Sequence, residues 1–113
     1  MIIVSPNAGG NPATCWNGYF YMPGWAYEDF FYKEFLPYIE KTYRVKGEKR
    51  HRAIAGLSMG GGGTTSYAQR YPDMYCAAYA MSALMNIPVS GEEVGKDPDP
   101  TNKMAVLTRS VQE

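Results

Sequence analysis

Arg52-Ala53-Ile54-Ala55-Gly56-Leu57-Ser58-Met59-Gly60-Gly61 decides how this chain folds. Arg52 to Gly56 is a short apolar run that reads as a strand, and Gly60 to Arg70 reads as a helix stopped by Tyr71-Pro72. Between them, Gly56-Leu57-Ser58-Met59-Gly60 has the spacing G-x-S-x-G. That pattern holds a serine on a tight, strained strand-to-helix turn, with glycines on either side letting the turn close. The hydroxyl is then presented at the C-terminal edge of the sheet. The Met59 amide lies at the helix N-terminus, where partial positive charge stabilises an oxyanion. Ser58 is thus the candidate nucleophile and Met59 N–H the candidate oxyanion donor. The rival reading is an ordinary glycine-rich strand–helix turn.

The glycines continue through Gly63, at a cost of roughly 1 kcal/mol each relative to alanine in a helix. Close packing of the helix start against neighbouring strands is the expected compensation. A phosphate loop does not fit. No Lys-Ser or Lys-Thr follows the glycines, and their spacing is not that of the dinucleotide fingerprint.

Upstream, Phe30, Phe31, Phe35, Leu36, Ile39 and Tyr43 recur at helical spacing from Tyr27 onward. Glu28 and Asp29 suit the positive end of that helix, and Pro37 is expected to kink it. Residues 7 to 25 carry Gly9, Gly10, Pro12, Gly18, Pro23 and Gly24 and read as a long loop. Met1-Ile2-Ile3-Val4 reads as a short buried strand, too short and lacking the basic leader of a signal peptide. Downstream, Cys76 to Ser82 reads as another buried strand, with Cys76 a small core residue. Pro88 to Pro100 marks a loop. Thr101 to Gln112 has a helical pattern, with Thr101 as cap and Met104, Leu107 and Val111 on one face.

Strands alternating with helices imply an α/β fold with parallel strands covered by helices. Three strands are few for such a sheet, whose faces and edges all need cover. Residues 1–113 therefore read as a single partial domain with an incomplete sheet, either a piece of something larger or stabilised by a partner.

A serine nucleophile needs a histidine base and a carboxylate to orient it. The chain has one histidine, His51. It begins the strand that Ser58 ends, so at about 3.3 Å per residue the two stand roughly 20 Å apart. His51 cannot serve Ser58 within one chain and reads as a strand-edge residue. Asp97 and Asp99 read as solvated loop charges, and Asp73 as turn chemistry after Pro72. No acid–histidine pair assembles from these residues.

Zero formal net charge gives no electrostatic grip on nucleic acid or anionic lipid, and no apolar run spans a bilayer. Cys15 and Cys76 have no histidine near them in sequence, and no disulfide is deducible from them. No metal or organic cofactor is implied. The aromatic load is heavy, with ten tyrosines, four phenylalanines and two tryptophans. Trp16, Tyr19, Tyr21, Trp25 and Tyr27 lie on the long loop, which leaves the strand edge where α/β sheets bind ligands. Trp16, Tyr19 and Trp25 are the candidate substrate-binding residues; packing within the loop is the alternative.

At Arg52 to Gly61 the chain resembles the Putative esterase family of α/β-hydrolases, which includes feruloyl esterases, acetyl xylan esterases and S-formylglutathione hydrolases. Met1 to Asn7, Tyr27 to Phe31, Glu34 to Ile39, Thr42 to Val45, Tyr71 to Tyr75 and Ala80 to Ser82 resemble it too. The resemblance covers about residues 1 to 87, and residues 88–113 match loosely. It implies a partial α/β-hydrolase fold and a serine carboxylic-ester hydrolase acting through an acyl-enzyme on Ser58. The implied substrate is a small-molecule or polysaccharide ester of the feruloyl or acetyl xylan type. It also implies a secreted or periplasmic protein. In the family the second oxyanion donor comes from a loop preceding the segment that matches Met1, and the acid and histidine from loops following the segment that matches Glu113. Two other readings stand beside this one: an inactive fragment serving at most as a binding or assembly unit, and a homo-oligomer in which a partner chain supplies the missing groups.

Overall fold

The strand, turn and helix around Ser58 form a β-α-β unit in the computed structural model, which describes residues 1–8, 18–19, 21–22 and 24–84. The long loop contains a small antiparallel hairpin of β1 (Tyr21–Met22) and β2 (Trp25–Ala26). Its two-residue connection is closed by Gly24 at φ 75°, a conformation open to glycine.

The helical periodicity from Tyr27 gives α1 (Tyr27–Phe30), a wider π-type stretch over Phe31–Phe35, and α2 (Leu36–Thr42). Pro37 explains the middle piece. It cannot donate to the Lys33 carbonyl, and its ring collides with that carbonyl in regular α geometry. The turns therefore widen just ahead of it, and Leu36 N–H bonds Phe31 O. After a short 3₁₀ turn at Lys49–His51 come β3 (Ala53–Leu57), α3 (Met59–Arg70) and β4 (Ala77–Met81).

β3 and β4 pair in parallel, from Ala53 opposite Ala77 to Leu57 opposite Met81. The ladder continues beyond both ends through Cys76 N–H to Arg52 O and Ser58 N–H to Met81 O, each 2.9 Å. Helix α3 covers one face of this pair, where Ile54 and Gly56 are half-buried. The other face is bare among the described residues. Leu57 is 64% exposed and Tyr79 67%. The expected α/β fold with an incomplete sheet is present, but the expectation that Cys76 to Ser82 is a buried strand is not met. Every residue of β4 is exposed: among the described residues nothing lies over the face opposite α3 or beyond the strand's outer edge. Cys76 is likewise exposed, its thiol donating to Arg52 O at 3.1 Å.

Met1 to Val4, expected as a buried strand, is exposed and has no ladder partner among the described residues. It faces β3 across a cavity instead of pairing with it. Thr101 to Gln112, Asp97, Asp99, Cys15 and Trp16 lie outside the described residues.

The centre is built on tyrosine. Tyr67 of α3, 2% exposed, lies against Phe31 and Tyr32 at ring separations of 5.3 and 5.2 Å. Tyr32 stacks on Tyr71 at 3.9 Å, and its hydroxyl meets that of Tyr75 at 2.8 Å. Buried Glu28 ties α1 to the end of α3 by accepting from Arg70 at 2.9 Å and Tyr71 at 2.8 Å. Arg52 forks onto Glu40, through Nη2 to Oε2 at 3.1 Å and through Nε to Oε1. Desolvation pushes Tyr27 and Tyr71 up to about 12, and Tyr32, Tyr67 and Tyr75 above their ordinary range. No helix among the described residues is long and apolar enough to cross a membrane.

Candidate active site

Ser58 sits between the last residue of β3 and the first of α3, with φ 55° and ψ −113°. A positive φ on a non-glycine residue is strain, on the order of 1–3 kcal/mol, and persists only where the surroundings impose it. They do so here. Ser58 N–H is fixed to Met81 O at 2.9 Å. Its carbonyl accepts from both Gly62 N–H, at 3.0 Å, and Leu84 N–H, at 2.9 Å. The backbone is pinned from three directions while the residue is exposed to solvent.

The glycines behave unequally. A methyl on Gly56 would sit 2.1 Å from Gly60 O and 2.8 Å from Thr64 Oγ1, so the strand and helix approach only because Gly56 has no side chain. A methyl on Gly61 would sit 2.8 Å from Met81 O and 2.9 Å from Ala83 Cα, the chain leaving β4. On Gly63 it would meet Tyr19 Cβ at 2.9 Å. Close packing is therefore the compensation for a glycine-rich helix start. Gly60 is the exception: a methyl there would lie 3.7 Å from Tyr19 Cε2 and 3.8 Å from its Oη, ordinary contact distances. The expectation that both motif glycines close the turn holds sterically for Gly56 alone.

No side chain caps α3. With Ser58 N–H bonded to Met81, the first-turn amides that follow have no intrahelical acceptor, and Met59 N–H heads them at the positive end of a 12-residue helix.

The candidate residues are distributed unevenly about this turn. Tyr19 lies along the first turn of α3, its Cβ end at Gly63 and its hydroxyl end toward Gly60. Trp25 is half-buried. Its indole N–H donates to Gly18 O at 2.9 Å and its ring stacks on Tyr27 at 6.1 Å, so much of its bonding is internal to the loop. His51 is exposed in the 3₁₀ turn at the opposite end of β3. Asp73 is exposed in the turn after α3. No acid–histidine pair approaches Ser58 among the described residues.

A cavity of about 800 Å³ runs along the edge of β3 that faces away from β4, with Met1, Ile2 and Val4 on its far wall. Its lining includes Leu57, Gly60 and Tyr19 but not Ser58 itself. Sequence reasoning missed Gly18 and Tyr67, which hold Tyr19 in place. Gly18 has φ 53°, and a side chain on it would strike Met59 Sδ at 2.8 Å. The buried Tyr67 hydroxyl donates to Tyr19 O. The glycine at 18 is visible in the sequence, but nothing there pairs it with Met59.

Comparison with known proteins agrees with this geometry. The family model described as Putative esterase matches residues 2–107. Esterase Rv1288 of Mycobacterium tuberculosis is 36% identical over 87 residues, covering 73% of this chain and 18% of that protein. An endo-1,4-beta-xylanase/feruloyl esterase of Xylanibacter ruminicola is 41% identical over 49 residues, 43% of this chain and 7% of that protein. A solved structure titled ferulic acid esterase superposes with a TM-score of 0.72 at 68% identity, covering 94% of this chain and 39% of that one. The chain thus spans under two fifths of each of these relatives. With a strained serine between a parallel strand and a glycine-packed helix, and a family match over nearly its whole length, this chain belongs to the Putative esterase family.

Proposed function

We propose that this chain carries the nucleophile of a carboxylic-ester hydrolase of the feruloyl or acetyl xylan type. Ser58 Oγ attacks the ester carbonyl. The oxyanion is held by Met59 N–H, the alcohol leaves, and water releases the acyl group from the serine. The single observation that carries this reading is the pinned backbone of Ser58 at φ 55° and ψ −113°. That conformation is costly for a residue with a side chain, and at the end of a strand leading into a helix it supports a turn held for the hydroxyl it carries.

The base and its orienting acid are proposed to come from polypeptide outside residues 1–113, since the one histidine lies at the wrong end of β3. Trp16, Tyr19 and Trp25 are proposed to face the substrate side, with Tyr19 best supported by its position along α3. The proposed ligand is a small-molecule or polysaccharide ester. Supply of the base by a second copy in a homo-oligomer is the competing arrangement. Grafting residues 2–107 into the matching region of the ferulic acid esterase relative tests the reading. The chimera is expected to hydrolyse methyl ferulate, and Ser58→Ala to abolish this. Hydrolysis that survives Ser58→Ala refutes the assignment of the nucleophile.

A further inference from the structure

The edge of β3 that faces away from β4 has no ladder partner among the described residues, and the cavity of about 800 Å³ runs along it. In a parallel pair, alternate residues turn their N–H and C=O groups to one neighbour, so the residues between them offer theirs to this free edge. The far wall is Met1 to Val4, which alternates as a strand does. Ile2 and Val4 line the cavity at 51% and 39% exposed, while Ile3 turns away at 80%. The segment also runs in the sense of β3. Asn7 O accepts from the Tyr27 hydroxyl at 3.3 Å, and the Tyr27 ring meets Tyr19 at 5.7 Å beside the start of α3. Met1 to Val4 therefore climbs toward the end of β3 that leads to Ser58. The floor is a helix stripe. Phe31, Phe35, Leu36 and Ile39 all line the cavity and are only half-buried. A stripe with that spacing is ordinarily covered by a sheet.

We propose that this cavity is a strand slot. A parallel β-strand, apolar on the face toward Phe35 and Ile39, inserts between β3 and Met1 to Val4 and hydrogen-bonds to both. The occupant is polypeptide of the same protein outside residues 1–113. This chain covers 39% of the ferulic acid esterase structure on which it superposes, and the remainder of such a chain can supply the strand. Volume alone would equally suit a small ligand, since ligand pockets run up to about 1,000 Å³. The walls decide between the two. Facing backbone edges over an apolar floor satisfy a strand's donors and acceptors on both sides, whereas a small ester leaves most of them unpaired. The slot also accounts for strand composition without a ladder at Met1 to Val4, whose partner is the inserted strand and not β3. The inference goes beyond the assignment of Ser58 and does not depend on it.

Backbone amide exchange tests this on the 113-residue chain. It is measured alone and with overlapping peptides of about 12 residues, longer than a typical strand, that cover the part of the ferulic acid esterase relative this chain does not match. Alone, alternate amides of Ala53 to Leu57 are expected to exchange fast at every chain concentration. One peptide is expected to slow them about tenfold or more at saturation, in Ser58→Ala as in the unaltered chain. Ile39→Asp puts a charge on the floor and Val4→Asp one on the far wall, and each should abolish the slowing. Tyr38→Asp, at an exposed position of α2 off the cavity, should not. The two blocking variants lie on separate segments, so a local loss of α2 in one leaves the other to decide. Absence of slowing by any peptide overturns the proposal, as does slowing that both Ile39→Asp and Val4→Asp leave intact. Amides already slow in the dilute chain would mean that Met1 to Val4 closes on β3 itself. Slowing that grows with chain concentration alone would make the occupant a second copy. Either result overturns the proposal, and neither bears on the nucleophile, which is read from hydrolysis in the chimera.

Discussion

Gly56→Ala and Gly60→Ala are the same chemical change at the two ends of one five-residue motif, and the structure predicts opposite outcomes. At Gly56 the new methyl lies 2.1 Å from Gly60 O, 2.2 Å from Gly60 C and 2.8 Å from Thr64 Oγ1. The obstacle is the backbone of a buried helix start, which cannot swing aside as a side-chain end does. Overpacking of this kind costs about 1–3 kcal/mol, with backbone obstacles at the upper end. At Gly60 the same methyl finds neighbours no closer than 3.7 Å, and alanine is the better helix former by up to about 1 kcal/mol. The two variants should differ by roughly 2–4 kcal/mol, which for a unit of this size separates their melting temperatures by about 10 °C or more. Thermal and urea unfolding followed by circular dichroism measure this directly. A Gly56→Ala variant as stable as Gly60→Ala would refute the strand–helix approach on which the whole elbow rests.

Other consequences follow from single contacts. Ser66 is 1% exposed and its hydroxyl has no partner among the described residues, so Ser66→Ala should raise stability by about 1 kcal/mol in urea titrations. Glu28→Gln leaves Arg70 and Tyr71 facing a neutral amide in a buried site and should cost about 1–3 kcal/mol by the same measurement. Arg52→Lys loses the fork onto Glu40 and the bond to Gly47 O, and should lower the urea midpoint where a conservative charge-for-charge change at a surface site would not. Tyr27 and Tyr71 titrate at about 12 in the folded state, above their ordinary 10. The folded chain therefore binds more protons than the unfolded chain between those values. Their contribution to stability is full below pH 10 and lost as pH rises toward 12, which alkaline unfolding followed by tyrosinate absorbance checks.

Much of the site was legible because its signals are local. The G-x-S-x-G spacing, the apolar run before it and the Tyr71-Pro72 stop fixed β3, the turn and α3 to within a residue or so. Helical periodicity from Tyr27 and the disturbance at Pro37 were equally local, although the sequence did not say that the disturbance takes the form of widened turns. What escaped depends on contacts remote in sequence. Cys76 and Tyr79 have the composition of a buried strand, but burial needs a covering element, and none lies over the face opposite α3 among the described residues. Met1 to Val4 has the composition of a strand, and no strand among the described residues pairs with it. The difference between Gly56 and Gly60 is invisible in the motif, because it is set by how closely the Gly60 backbone approaches Gly56 and by where the Tyr19 ring lies, neither of which the spacing specifies.

Fluorophosphonate labelling followed by intact-mass spectrometry tests the central claim most directly, on the 113-residue chain and on the chimera with the ferulic acid esterase relative. The account predicts one adduct on the chimera, lost with Ser58→Ala, and none on the isolated chain, whose histidine lies at the far end of β3. An adduct on the chimera that persists in Ser58→Ala would contradict it. Labelling of the isolated chain at Ser58 that His51→Ala removes would instead place the base on a second copy.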